Sequence, residues 1–182
     1  MCAFFDFLTR WRPIQWPGVA SLMVGFALAT LALSARAQDR IYNARVSYIY
    51  DGDTLWVRPV EGGRSRKLRI EGIDAPEICQ QGGVASRDAL RQRLLGQMVT
   101  VHEHSRDTYG RPLVDLAFGS ENVAAWMVSE GWAWSYRWRS DEGPFARQEA
   151  YARAKRRGIF DETGVEEPRV FRQRHGPCKK PR

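Results

Sequence analysis

Histidine and cysteine are scarce in this chain, with 3 of each in 182 residues. No group of them has the spacing of a zinc site, which excludes a Cys/His zinc module. No internal repeat is present. Acidic residues fall short of basic ones, 21 against 28, for a net charge of +7 and a pI near 9.7. That surplus favours a polyanionic partner, nucleic acid or an anionic membrane, although solubility alone would also account for it. Apolar residues are not lacking: at 43% they allow a real core, and the length suits one domain of ordinary size.

A long hydrophobic run is also missing. The single candidate, "VASLMVGFALATLALS" from Val19 to Ser34, carries no charge but is short for a membrane span. Arg10 and Arg12 precede it, and Ala35-Arg36-Ala37 follows as an A-x-A cleavage site. Residues 1–37 are therefore expected to be a cleaved secretory signal. That makes the mature chain periplasmic or secreted, with no membrane attachment; an uncleaved anchor is the alternative. Loss of Asp6, Arg10, Arg12 and Arg36 leaves the balance basic. Cys2 would go with the signal. Cys79 and Cys178 would remain in an oxidising compartment as a disulfide candidate, or else as two free thiols.

The rest reads as three strands, a helix, two strands and two helices. "IYNARVSYIYDGDTLWVRP" gives two β-rich runs around Asp51-Gly52-Asp53, with Val46, Tyr48 and Tyr50 alternating. Leu68, Ile70 and Ile73 mark a third strand ending near Pro76. Helical spacing runs from Ala85 to Leu95. Strands follow at Met98–His102 and Leu113–Phe118. A second helix, capped by Ser120, runs to about Glu130, and a third spans Pro144–Arg157. The expected fold is α+β: a five-stranded OB-type β-barrel with three α-helices. It would occupy residues 38–160, followed by a basic, proline-containing tail at 161–182 that is loosely ordered unless a disulfide holds it.

Three segments carry candidate chemistry: "DGDT" at 51–54, "RIEGIDAPE" at 69–77 and "DTYGR" at 107–111. Each alone is an unremarkable loop or strand end. In this order, with "AKRRGIF" closing the last helix, they resemble the staphylococcal nuclease (thermonuclease) family over roughly Val46–Phe160. The resemblance maps the family's site onto Asp53, Arg69, Asp74, Glu77 and Arg111. It implies a Ca²⁺ ion held by Asp53, Asp74 and the backbone carbonyl of Ala75, with Tyr109 and Tyr136 binding substrate. Thr108 stands where the family's best-known member has lysine.

The residue types suit that chemistry on their own terms. Carboxylates are hard donors for a divalent cation, and "DGDT" lacks the ligand offsets of an EF-hand. An arginine can fork onto phosphate oxygens as lysine cannot. Glu77 is the candidate base for water, while Asp51 reads as a turn former. Trp132, Trp134 and Trp138 could stack on bases or fill the core. His102 and His104 share a strand face but lack a third ligand. The expected function is an exported Ca²⁺-dependent nuclease. It would act on DNA and RNA as a monomer without a stable protein partner, and the resemblance implies single-strand preference and 3′-phosphate products. A catalytically silent OB-type nucleic-acid-binding module, or a membrane-anchored surface protein, are the alternatives.

Overall fold

The computed structural model describes residues 39–161, 164–176 and 178; the expected signal at 1–37 lies outside its scope. Five strands build the core: β1 (Arg40–Ile49), β2 (Thr54–Pro59), β3 (Arg66–Ile70), β5 (Met98–Arg106) and β6 (Pro112–Phe118). They lie in the order β3-β2-β1-β5-β6, antiparallel throughout, and β3 then pairs in parallel with β6. That last pairing, Arg69 with Leu113 and Ile70 with Val114, closes the sheet into a barrel and removes its edges. Inward residues alternate with outward ones, so Leu55, Val57, Leu68, Ile70, Val101 and Val114 are fully buried in one cluster.

The alternation in β1 differs from the expected one. Tyr42, Ala44 and Val46 point inward, but a bulge between Val46 and Tyr48 shifts the phase. Ile49 is then buried and Tyr48 is exposed.

Outside the barrel, the two-residue strand β4 (Ile73–Asp74) pairs with β8 (Trp134–Ser135). The strand expected to run from Leu68 through Ile73 is broken at Glu71-Gly72, and the break carries Asp74 off the barrel. Helix α1 is Gly83–Leu94 and helix α2 is Val123–Ser129. The cap of α2 is Asn122, whose Oδ1 accepts the Ala125 N–H at 2.9 Å. Ser120 does not cap it, because Glu121–Asn122 (β7) first pair with β6. Helix α3 is Ala146–Ala154, shorter than the Pro144–Arg157 expected.

The described residues hold four α-helices, where three were expected. The fourth, α4 (Pro168–His175), lies in the tail and starts on a buried proline at its first turn. Cys178 just beyond it is bonded to Cys79. Among the described residues, no helix is long and apolar enough to cross a membrane.

Candidate active site

The site gathers where the turn before β2, the end of β3 and the β4 segment meet. Asp51 Oδ1 accepts the Asp53 N–H at 3.1 Å, and Asp53 O accepts the Ile70 N–H at 2.8 Å. The turn is therefore tied to the strand that carries Arg69. Gly52 is required for space: a Cβ there would lie 2.0 Å from Ser86 Oγ and 2.7 Å from Ala75 Cβ. The turn is thus pressed between α1 and the Asp74–Ala75 segment.

Two carboxylates are almost fully buried here, Asp53 at 3% exposure and Asp74 at 5%. Arg69 joins them. Its Nη1 donates to Asp53 Oδ1 at 2.6 Å and its Nη2 to Asp74 Oδ1 at 3.2 Å. Asp53 also accepts from Thr54 Oγ1 and, through Oδ2, from the Ala75 N–H at 3.1 Å. Burying two anions this closely is costly unless each is paired and hydrogen-bonded, and the guanidinium supplies that compensation. Asp51 adds to the crowding. Burial, and then the charge of Asp53, push its carboxyl well above the ordinary carboxylate range. It shapes the turn, as expected, and it is also part of this electrostatic cluster.

Glu77 joins the group through a residue that the sequence reading did not single out. Arg172 of α4 donates from Nη1 to Asp74 Oδ1 and to Glu77 Oε1, both at 3.0 Å, and from Nη2 to Asp74 Oδ2 at 2.8 Å. A tail arginine thus bridges two of the expected site carboxylates. The signal for it lay in the cysteines: bonding Cys178 to Cys79, two residues after Glu77, brings the residues before Cys178 to this loop.

Arg111 stands apart from this cluster. Its Nε donates to Asp107 Oδ2 at 2.6 Å, and its own N–H and that of Tyr109 both reach Asp107 Oδ1 at 2.9 Å. It lies just before β6, whose Leu113 is the partner of Arg69 in the parallel pairing, so that strand borders the site. Tyr109, 83% exposed, has Arg111 over its ring. Tyr136 is 40% exposed, and its N–H is bonded to Gly72 O beside β4. The tryptophans divide. Trp134 is buried edge-on against Phe160 and Trp132 packs on the core, whereas Trp138 is exposed. Stacking on bases is thus open to Trp138 and Tyr136, and closed to Trp134.

The donor set is of the type a divalent cation that prefers oxygen, such as Ca²⁺, takes: the carboxylates of Asp53 and Asp74 are buried and are joined through one guanidinium. Two carboxylates and one carbonyl fall short of the about six to eight oxygens of a Ca²⁺ shell, so water and substrate oxygens would complete it. Among the described residues, the acid–imidazole cluster with ligand atoms within 4.8 Å is a different one, Asp39 with His102 and His104. Asp39 is the third donor the histidine pair was expected to lack. His104 is also held by Asp115 at 2.8 Å.

Comparison with known proteins identifies the family. Residues 67–162 match the staphylococcal nuclease homologue family. Arg69, Asp74, Glu77 and Arg111 fall inside that match; Asp53 precedes it and Arg172 follows it. An uncharacterized endonuclease of Haemophilus influenzae is 30% identical over 152 residues, 84% of each chain. Protein ParB of Escherichia coli is 34% identical over 169 residues, covering 85% of this chain and 92% of that protein. The probable staphylococcal-like nuclease CAN4 of Oryza sativa is 33% identical over 110 residues, 60% of this chain and 22% of that longer protein. With a family match over more than half its length and two relatives of at least 30% identity covered over 84% and 92% of theirs, this chain belongs to the staphylococcal nuclease homologue family.

Proposed function

We propose that this family member is an exported, Ca²⁺-dependent nuclease that hydrolyses phosphodiester bonds of DNA and RNA. It would prefer single strands and leave 3′-phosphates. The observation that carries the reading is the Asp53–Arg69–Asp74 unit, two buried carboxylates joined by one guanidinium with Glu77 alongside. A protein that only bound nucleic acid would need basic groups at its surface, and two buried carboxylates joined by a guanidinium would add nothing to that.

Asp53, Asp74 and the Ala75 carbonyl would hold the cation. When bound, it would offset the charge that develops on the phosphate during attack. The remaining steps belong to the side chains. Glu77 takes a proton from the attacking water and aims its oxygen at phosphorus; the bond from phosphorus to the 5′ oxygen breaks, the phosphate stays on the 3′ oxygen, and the departing 5′ oxygen takes a proton from solvent. Arg111, through its two Nη groups, and Arg69, through an N–H that its carboxylate partners leave over, donate to the non-bridging oxygens, whose charge grows in the transition state. Tyr109 and Tyr136, exposed at the rim, contact the strand on either side. Bases that are already unstacked can lie against Tyr136 and Trp138, which favours single strands. The bonded Cys79–Cys178 pair supports an oxidising compartment, and with it export.

The test is cleavage of labelled single-stranded DNA and RNA by the protein lacking residues 1–37. Ca²⁺ should support turnover, chelator should abolish it, and Asp53→Ala or Asp74→Ala should weaken Ca²⁺ binding. Full activity in chelator would overturn the metal dependence. Tight binding of the strand without cleavage in Ca²⁺ would return the chain to a binding module.

A further inference from the structure

Arg172 has no part in the reaction described above, yet it makes more contacts to the site carboxylates than Arg111 does. Its helix is fastened in place. Cys178 is bonded to Cys79, Gln80 Nε2 donates to Glu166 O at 2.6 Å, and Arg137 donates to Glu167 Oε1 at 2.8 Å. Gln80, which is buried, also accepts the Glu77 N–H on its Oε1 at 3.1 Å. One glutamine therefore couples the main chain of Glu77 to the approach of α4.

The side chain of Glu77 needs such help. A glutamate has three rotatable torsions, and Glu77 sits on a loop after Pro76 rather than on a strand. Among the described residues, the contact recorded for its carboxylate is Arg172 Nη1. The same nitrogen and its neighbour fork across both oxygens of Asp74, itself buried and paired with β8. A planar fork fixed at one end on a rigid carboxylate defines the direction of its remaining donor. Three of the roughly four acceptor positions on Asp74 are then used, two by Arg172 and one by Arg69, which leaves one for a cation.

We propose that Arg172 is a positioning residue of the nuclease reaction, fixing the Glu77 carboxylate beside Asp74 from a disulfide-held helix. This rests on the nuclease reading. A base that must meet one water in one orientation loses rate when it swings freely, and substrate affinity is little affected. The charge on Arg172 also offsets the repulsion between Glu77 and Asp74, which would otherwise drive the two carboxylates apart.

The experiment is a double-mutant cycle on the full chain lacking residues 1–37, with single-turnover cleavage of single-stranded DNA and calorimetric Ca²⁺ titration. Arg172→Ala should lower kcat by about 10–100-fold, part of the about 10²–10⁴ of a general base, with KM nearly unchanged. In a Glu77→Gln background the same change should cost less than about 3-fold, since it acts through a base already removed. Arg172→Lys, which keeps the charge without the fork, should recover only part of kcat. Ca²⁺ affinity should be equal or tighter in Arg172→Ala, because a positive charge leaves the ligand. Should Arg172→Ala unfold, Arg172→Lys and Arg172→Gln are read by the same criteria. A loss of equal size in both backgrounds would overturn positioning in favour of a structural role. Weakened Ca²⁺ binding would assign Arg172 to the metal, and a gain in turnover would make it a blocking group. A wild-type protein that cleaves while Arg172→Ala cleaves equally well removes the positioning role alone; a wild-type protein that does not cleave removes the nuclease reading with it.

Discussion

Arg69 and Arg111, the two arginines expected to receive the phosphate, sit in unlike settings. Arg69 lies between two nearly buried carboxylates, on a strand paired on both sides. Arg111 lies at the base of a hairpin tip, bound to one carboxylate four residues back, beside a tyrosine open to solvent. The same side chain thus does two kinds of work. Arg69 holds the folded site together before any substrate arrives, while Arg111 is held by the one carboxylate of its own small loop. A residue of the first kind cannot be altered without cost to the fold. A residue of the second kind can be altered with cost chiefly to the reaction.

The largest effect expected from this contrast belongs to Arg69→Lys. Lysine keeps the charge but cannot reach Asp53 and Asp74 together. Turnover should fall by about 10²–10³-fold, the size seen when one preorganised donor is removed. Stability should fall too, by about 1.5–3 kcal/mol, the range for a hydrogen bond to a charged group. Cleavage rates beside urea or thermal unfolding measure both. An unchanged unfolding curve would break the comparison, since Arg69 would then be as dispensable to the fold as Arg111.

Arg111→Lys should show the smaller, separate effect. Turnover should fall about tenfold, near the value of one charge-assisted hydrogen bond, while the melting curve stays put. A matching drop in melting temperature would place the hairpin tip within the structural core of the site and dissolve the distinction.

Legibility divides along the same line. The succession of strands and the inserted helix could be read because they rest on short-range patterns, alternation and a tight turn; the site residues came instead from the resemblance to the family, and of the five the hydrogen bonds gather Asp53, Arg69, Asp74 and Glu77 and leave Arg111 apart. The bulge in β1 could not, because alternation carries no mark of where a strand slips by one residue, and so Tyr48 rather than Ile49 was counted in phase. Asn122 was passed over as the α2 cap because Ser120 is an equally good local cap; the pairing of Glu121–Asn122 with β6 decides between them. Arg172 was missed for a different reason. It is one of many basic residues in a tail without periodic pattern, and its place depends on a bond to Cys79 across 99 residues of chain.

The smallest expected effect concerns the loop that presents Arg111. Burial alone would raise the carboxyl of Asp107, but the N–H and guanidinium of Arg111 and the N–H of Tyr109 outweigh it and hold the group below its ordinary value. A carboxyl whose folded pKa is depressed contributes stability above its unfolded value, near 3.9, and that contribution is lost as pH falls through the lower folded value. Asp107→Asn should therefore be slightly less stable than wild type at neutral pH, and the gap between their melting temperatures should shrink in acid. Turnover should fall only a few-fold, because the asparagine still offers one oxygen to the two loop N–H groups while releasing the guanidinium. Melting curves of the two proteins between about pH 3 and 7 measure the gap. A gap independent of pH would mean that the charge of Asp107 does not hold the tip, and that Arg111 is aimed by the hairpin backbone alone.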